Sequence, residues 1–204
     1  MSNTVTNILT INGTDKQVAK VREFIKDSNG ESISFQSIFP MPKKLKGKHM
    51  VEQKDLPYPP GMKPISVPDW MSWRLKYWGT VKDAETIHDE AVDAPNRILF
   101  NTPSDTPLQA IMILSLLFPE ATFNVIFSDA QPNLFCGEYT FSGGEVANLT
   151  WFDGIAKTGD ISVDQQMEYY FRTHEYDREN WKKNADGKWI NIEEEDNEEE
   201  LDEE

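Results

Sequence analysis

The chain has 204 residues, 38% of them hydrophobic and 11% aromatic, enough for one domain with a real core and some appendages. Its net charge is −15, but ten carboxylates sit in the last twelve residues, "EEEDNEEELDEE", which leaves only −5 for residues 1–192. No apolar run approaches the roughly 18 residues of a membrane span, the N-terminus lacks a basic stretch followed by an apolar one, and the single cysteine, Cys136, excludes an internal disulfide framework and suits a reducing, cytoplasmic compartment.

In chain order, "VTNILTI" (5–11) alternates and favours β-branched residues, which predicts a strand. A helix follows. Thr14 is placed to cap it, Val18, Val21, Phe24 and Ile25 form an apolar stripe, and Gly30 lies beyond its end. "SISFQSIF" (32–39) has period-two alternation, with Ile33, Phe35, Ser37 and Phe39 on one face, and reads as a second strand.

Seven of the twelve prolines then fall between residues 40 and 68. Proline presets an extended backbone and withholds the N–H that a sheet needs, so 40–68 reads as a long proline-rich loop. It also carries a basic island, Lys43, Lys44, Lys46 and Lys48. Loops this long tend to be functional.

Asp69 can cap the short helix 69–78. Trp70, Trp73 and Tyr77 share one face of it, Trp78 follows, and Gly79 stops it. Two readings of these rings stand side by side. They pin the helix and loop to the body, or they line a cleft beside the loop, joined there by Tyr58 and Met62.

"RILFNT" (97–102) reads as a strand. Residues 104–120 form a helix apolar nearly all round, with Thr106 to cap it and Pro119 to end it. "TFNVIF", "LFCGEYTF" and "VANLTWF" are further strands, the last two joined by the turn "SGG". A C-terminal helix follows with Met167, Tyr170, Phe171 and His174 on one side, then a hairpin turning on Asp186-Gly187 between Trp181 and Trp189.

Two β-α-β halves of this kind predict an α+β, ferredoxin-like sandwich: an antiparallel sheet with helices on one face, extended by a β-hairpin. The expected organisation is a domain over 1–160, with the loop and the aromatic helix inserted, a C-terminal helix and hairpin over 161–192, and a disordered acidic tail over 193–204.

Residues "KYWGTVKDA" (76–84) resemble a signature of the YubB/Api-like proteins of plasmids and bacteriophages. Four ordered motifs carry the resemblance across residues 3–152: this one, "IFPMP" (38–42), "LFNT" (99–102) with Phe118-Pro119, and "GEYTFSGG" (137–144). Val81 and Lys82 depart from the Lys-Trp that follows Trp-Gly-Thr in that family. The resemblance implies a ferredoxin-like fold and a mobile-element origin. It brings no catalytic residues and no cofactor.

No catalytic constellation or metal site is signalled. Glu85, His88 and Asp89 share a helical spacing, yet further ligands for a zinc ion are not indicated. His174, on its apolar stripe, reads as a packing residue, and Cys136 as a small buried hydrophobe. The expectation is a non-enzymatic accessory protein that binds a host protein inside a bacterial host and antagonises a defence or DNA-binding factor. Its contact residues would be Lys43, Lys44, Lys46, Lys48, Tyr58, Met62, Trp70, Trp73 and Trp78. The alternative is a nucleic-acid-binding or processing factor that uses the sheet and the Lys43–Lys48 loop, although four lysines in a net-negative chain argue against it. No membrane association is expected.

Overall fold

The computed structural model describes residues 3–30, 33–45, 50–51, 67–87, 94–130, 135–153 and 163–192. The acidic tail, Lys46, Lys48, Tyr58, Met62, His88 and Asp89 lie outside these residues. The protein is α+β, built on a six-stranded antiparallel sheet.

Strand β1 (Thr4–Asn12) lies at the centre of that sheet. Helix α1 (Asp15–Ile25) follows it, opened by a capping box in which Thr14 and Gln17 satisfy each other's main-chain N–H. After a short helix α2 (Phe35–Ile38), strands β2 (Met50–Val51) and β3 (Val67–Pro68) pair with each other and lead directly into α3 (Asp69–Tyr77). Then come β4 (Glu85–Ile87), β5 (Arg97–Pro103), α4 (Leu108–Leu117), β6 (Thr122–Asp129), β7 (Phe135–Ser142) and β8 (Glu145–Asp153). Helix α5 (Val163–Thr173) and a small hairpin, β9 (Trp181–Lys183) with β10 (Trp189–Asn191), complete the described chain.

The strand order is β4-β5-β1-β6-β7-β8. Strands β5 and β6, joined through α4, flank β1 on either side. One face of the sheet, carrying Val5, Leu9, Ile11, Phe123, Val125, Phe127, Tyr139 and Phe141, meets α1 and α4 in the main core. Burial of these side chains is the main stabilising term, at about 25 cal/mol for each Å² of apolar surface removed from water.

Two sequence expectations are corrected. The segment "SISFQSIF" is not a strand. Ser34 caps a single helical turn by accepting from the Gln36 N–H, and the Asp83 carboxylate accepts from the Phe35 N–H at 2.6 Å and from the Ser34 hydroxyl at 2.7 Å. In that turn Phe35 and Ile38, three residues apart, face the core, and Phe39 does not. The outer strand beside β5 is instead β4, only three residues long.

Nor do the helices keep to one face. The opposite face presents Thr6, Ile8, Ile126 and Ser128, and α5 packs against β1, β6 and β7 there. Met167, Tyr170 and Phe171 of α5 form a separate cluster with Trp181 and Trp189, so the C-terminal hairpin is fixed to the body through α5. The stripe seen in the sequence is an interface with the sheet.

Candidate functional site

The segment Trp78–Asp83 is a structural junction. Trp78 is 1% exposed, and its Nε1 donates to the Phe39 carbonyl at 2.9 Å. Gly79 adopts φ +87°, and a Cβ there would stand 2.3 Å from Gln109 Oε1 and 3.1 Å from the Thr106 carbonyl oxygen. Glycine lets the chain turn against the start of α4 at this point. Thr80 donates to the Pro103 carbonyl, and Asp83 holds α2 as described. One short motif therefore ties α3 to α2, α4 and β5.

An aromatic ridge stands on that junction. The rings of Trp73 and Phe39 lie nearly parallel, 3° apart with centroids 5.6 Å from each other, and Tyr77 packs within 4.9 Å of Trp73 and 5.3 Å of Phe39. Trp73 in turn meets the buried Trp78 edge-on at 5.8 Å. Trp70, Trp73 and Tyr77 are half-buried, while Phe39 is 37% exposed and Leu75 43%. The ridge thus has a buried foot and an accessible crest, the form of surface in which rigid aromatics serve as contact anchors at low entropic cost.

Basic side chains stand on α3 and follow Phe39 in the chain. Lys43 and Lys44 begin a single 3-10 turn just past Phe39 and are exposed, as are Lys76 and Lys82. The Lys76 ammonium sits 5.2 Å from the Tyr77 ring. The Arg74 guanidinium lies 5.2 Å from the Trp70 ring and 4.8 Å from the Trp78 ring, and it donates to the Val81 carbonyl. Burial lowers the pKa of Arg74 from its ordinary value, and the Asp83 carboxylate opposes the shift.

Of the sequence candidates, Trp73 stands in the ridge, Trp70 lies one turn earlier on α3, and Lys43 and Lys44 follow Phe39 in the chain. Trp78 does not line the surface: it is core. The packing reading holds for Trp78, while the cleft reading, which needs Tyr58 and Met62, falls on residues outside those described. Phe39, Lys76 and Asp83 were not singled out from sequence. Phe39 falls in the alternating run 32–39, and Asp83 lies within "KYWGTVKDA" with no signal of its own.

Other chemistry-bearing groups are accounted for by packing. His174 is 5% exposed; its Nε2 lies 3.1 Å from Thr6 Oγ1 and its Nδ1 2.9 Å from Thr173 Oγ1, with the Tyr170 ring stacked on it at 4.5 Å. Cys136 is buried in β7, and burial pushes its thiol up to about 12. A buried network on the other face joins Asn7, Thr102, Thr106 and Tyr139. An open cavity of about 920 Å³ lies between the start of α1 and residues 94–96, where Arg22 donates to the carbonyls of Ala94, Pro95 and Arg97. Its guanidinium already serves main-chain oxygens. Among the described residues no group of three His, Cys, Asp or Glu side chains could hold a metal ion, and no helix is long and apolar enough to cross a membrane.

In comparisons with known proteins, no family model, no curated protein and no solved structure matches the chain.

Proposed function

We propose that this protein is a ferredoxin-like member of the YubB/Api-like group of plasmid and phage proteins, acting without catalysis by binding a host protein in the bacterial cytoplasm. The order β4-β5-β1-β6, with α1 and α4 on one face, supports the fold reading, because it is the interleaving expected of two β-α-β halves. In this scheme β7 and β8 are the extending hairpin.

The observation that carries the functional reading is the aromatic ridge, with the exposed Lys76 ammonium over its Tyr77 ring. Phe39, Trp73 and Tyr77 are held rigid by the junction beneath them, so little ordering entropy is lost when a partner covers them. Lys43, Lys44, Lys76 and Lys82 would set orientation against an acidic rim. The ten terminal carboxylates would attract a basic partner at longer range, which suits a host defence or DNA-binding factor. Protein binding is favoured over nucleic-acid binding because α5 covers β1, β6 and β7 on the face where bases would otherwise stack.

The test is affinity capture from bacterial lysate with three proteins: the full chain, a chain ending at Ile192, and a full chain carrying Phe39→Ala with Lys43, Lys44 and Lys76 all changed to Glu. A discrete protein held by the first, more weakly by the second at low salt, and lost by the third is the expected result. Capture that ignores the ridge substitutions, or recovery of nucleic acid instead, overturns the reading.

A further inference from the structure

The two edges of the sheet are unlike. At one end β4 has three residues; at the other β8 has nine. A long edge strand invites pairing with another strand, and soluble proteins usually blunt it with lysine, proline or cover. β8, "EVANLTWFD", contains neither lysine nor proline. On the α4 side of the sheet it carries Val146, Leu149 and Trp151, which are 55%, 52% and 38% exposed. Leu116 of α4, 56% exposed, adjoins this strip where it abuts Gly144. Four of the exposed large apolar side chains thus gather on this edge, which is distinct from the aromatic ridge.

We propose that β8 is the dimer edge of this protein, pairing antiparallel with β8 of a second copy about a two-fold axis at Thr150 to make one twelve-stranded sheet. The sequence of the edge selects that register. With the axis at Thr150, Leu149 stands opposite Trp151 of the second copy and Trp151 opposite its Leu149, an aliphatic–aromatic pair made twice. The same operation sets residue 153 opposite Ala147 and takes Glu145 past the end of the strand. Moving the axis to Leu149 would set Glu145 against Asp153, two carboxylates. Moving it to Trp151 would set Leu149 against Asp153. Because the axis runs perpendicular to the sheet, both copies present their α4 sides to the same face, and Val146 and Leu116 close over the strip from each side.

The bulge between Thr140 and Phe141 limits regular pairing to the stretch after Ala147. The interface is therefore small, below about 1,200 Å² in total, the size class of weak and transient contacts. Two chains of −15 repel each other, and salt screens that repulsion while leaving main-chain and apolar contacts intact. Association should tighten as salt is raised, the opposite of the salt response expected of the host contact.

Cross-linking tests the register. In the full chain with Cys136→Ser, Thr150→Cys places two sulfurs across the axis at the separation of directly opposed strand residues, about 4.5–5.5 Å between Cα atoms, which a disulfide spans. Asn148→Cys places them about 13 Å apart, which it does not span. Rapid oxidative dimer formation by the first and not the second is expected, together with a concentration-dependent mass in sedimentation that the exposed-site change Leu149→Lys abolishes without altering the melting transition. Equal cross-linking of both cysteine variants, a wild-type mass that stays monomeric as concentration rises, or a dimer that survives Leu149→Lys overturns the proposal. None of these outcomes bears on the ridge.

Discussion

The indole nitrogen of Trp78 donates to the main-chain oxygen of Phe39 at 2.9 Å, joining positions 39 residues apart. The ring that fills the core thereby fixes the base of the exposed ridge. Trp78→Ala removes a fully buried ring and should cost about 3–5 kcal/mol. Trp73→Ala takes away a half-buried ring and should cost less than half as much, while impairing partner capture. Urea unfolding of the two variants checks this; equal losses would place Trp73 in the core.

Gly79 and Gly187 both lie in the left-handed region, at φ +87° and +76°, but their surroundings differ. At Gly187 a Cβ meets nothing within 4 Å, so Gly187→Ala should cost only the backbone penalty, roughly 1–2 kcal/mol. At Gly79 the same Cβ collides with Gln109 and crowds the main chain of Thr106 and Leu108, so Gly79→Ala should cost clearly more. Thermal melts of both variants measure the difference, and similar values would contradict the close packing of the junction on α4.

The uneven legibility of the sequence has the same physical origin as these contrasts. Helix α1 could be read with its cap because Thr14 and Gln17 signal within three residues. The β7–β8 hairpin announced itself through "SGG", whose Gly143 and Gly144 both take positive φ. Residues 33–39 misled because their period-two pattern is real, while the carboxylate that makes them helical, Asp83, lies 48 positions away from Phe35. β4 is too short for any period to show. His174 reads as a packing residue and is one, but its hydroxyl partner Thr6 lies 168 positions earlier, so the covering of the second sheet face by α5 has no local signal. Two of the three ridge rings, Trp73 and Tyr77, are legible from their helical spacing. Phe39 joins them only because α2 turns it outward.

Cys136 offers a probe of the sheet. It is 3% exposed, and burial alone pushes its thiol up to about 12, so at pH 8 only about one thiol in 10⁴ is ionised. Alkylation by iodoacetamide should be negligible in the native protein and fast once urea unfolds it, with the native rate reporting opening of β7. Prompt native alkylation, read by mass spectrometry, would remove Cys136 from the interior.

His174 should make the docking of α5 sensitive to pH. Burial pushes its pKa below the ordinary histidine value of about 6.5, and this outweighs the Tyr170 carbonyl and the Asp177 and Asp129 carboxylates, all of which favour the charged ring. A histidine with a depressed folded pKa binds its proton more readily when unfolded. Its stabilising contribution is therefore complete above about pH 6.5 and is lost as pH falls through that value toward the folded pKa. Protonation would turn a ring that serves Thr6, Ser128 and Thr173 into a buried cation at the joint between α5 and the sheet. Asp177 acts in a separate window. Burial raises its carboxyl, but hydrogen bonds from Tyr170, Trp181 and Asn180 prevail and hold it below the usual aspartate range, so its contribution fades only at more acid pH. The melting temperature should accordingly begin to fall as pH drops below about 6.5 in the wild type. In His174→Gln, which keeps hydrogen-bonding capacity without titrating, that step should vanish while the lower-pH loss remains. A step of the same size in both proteins would assign the transition to another group.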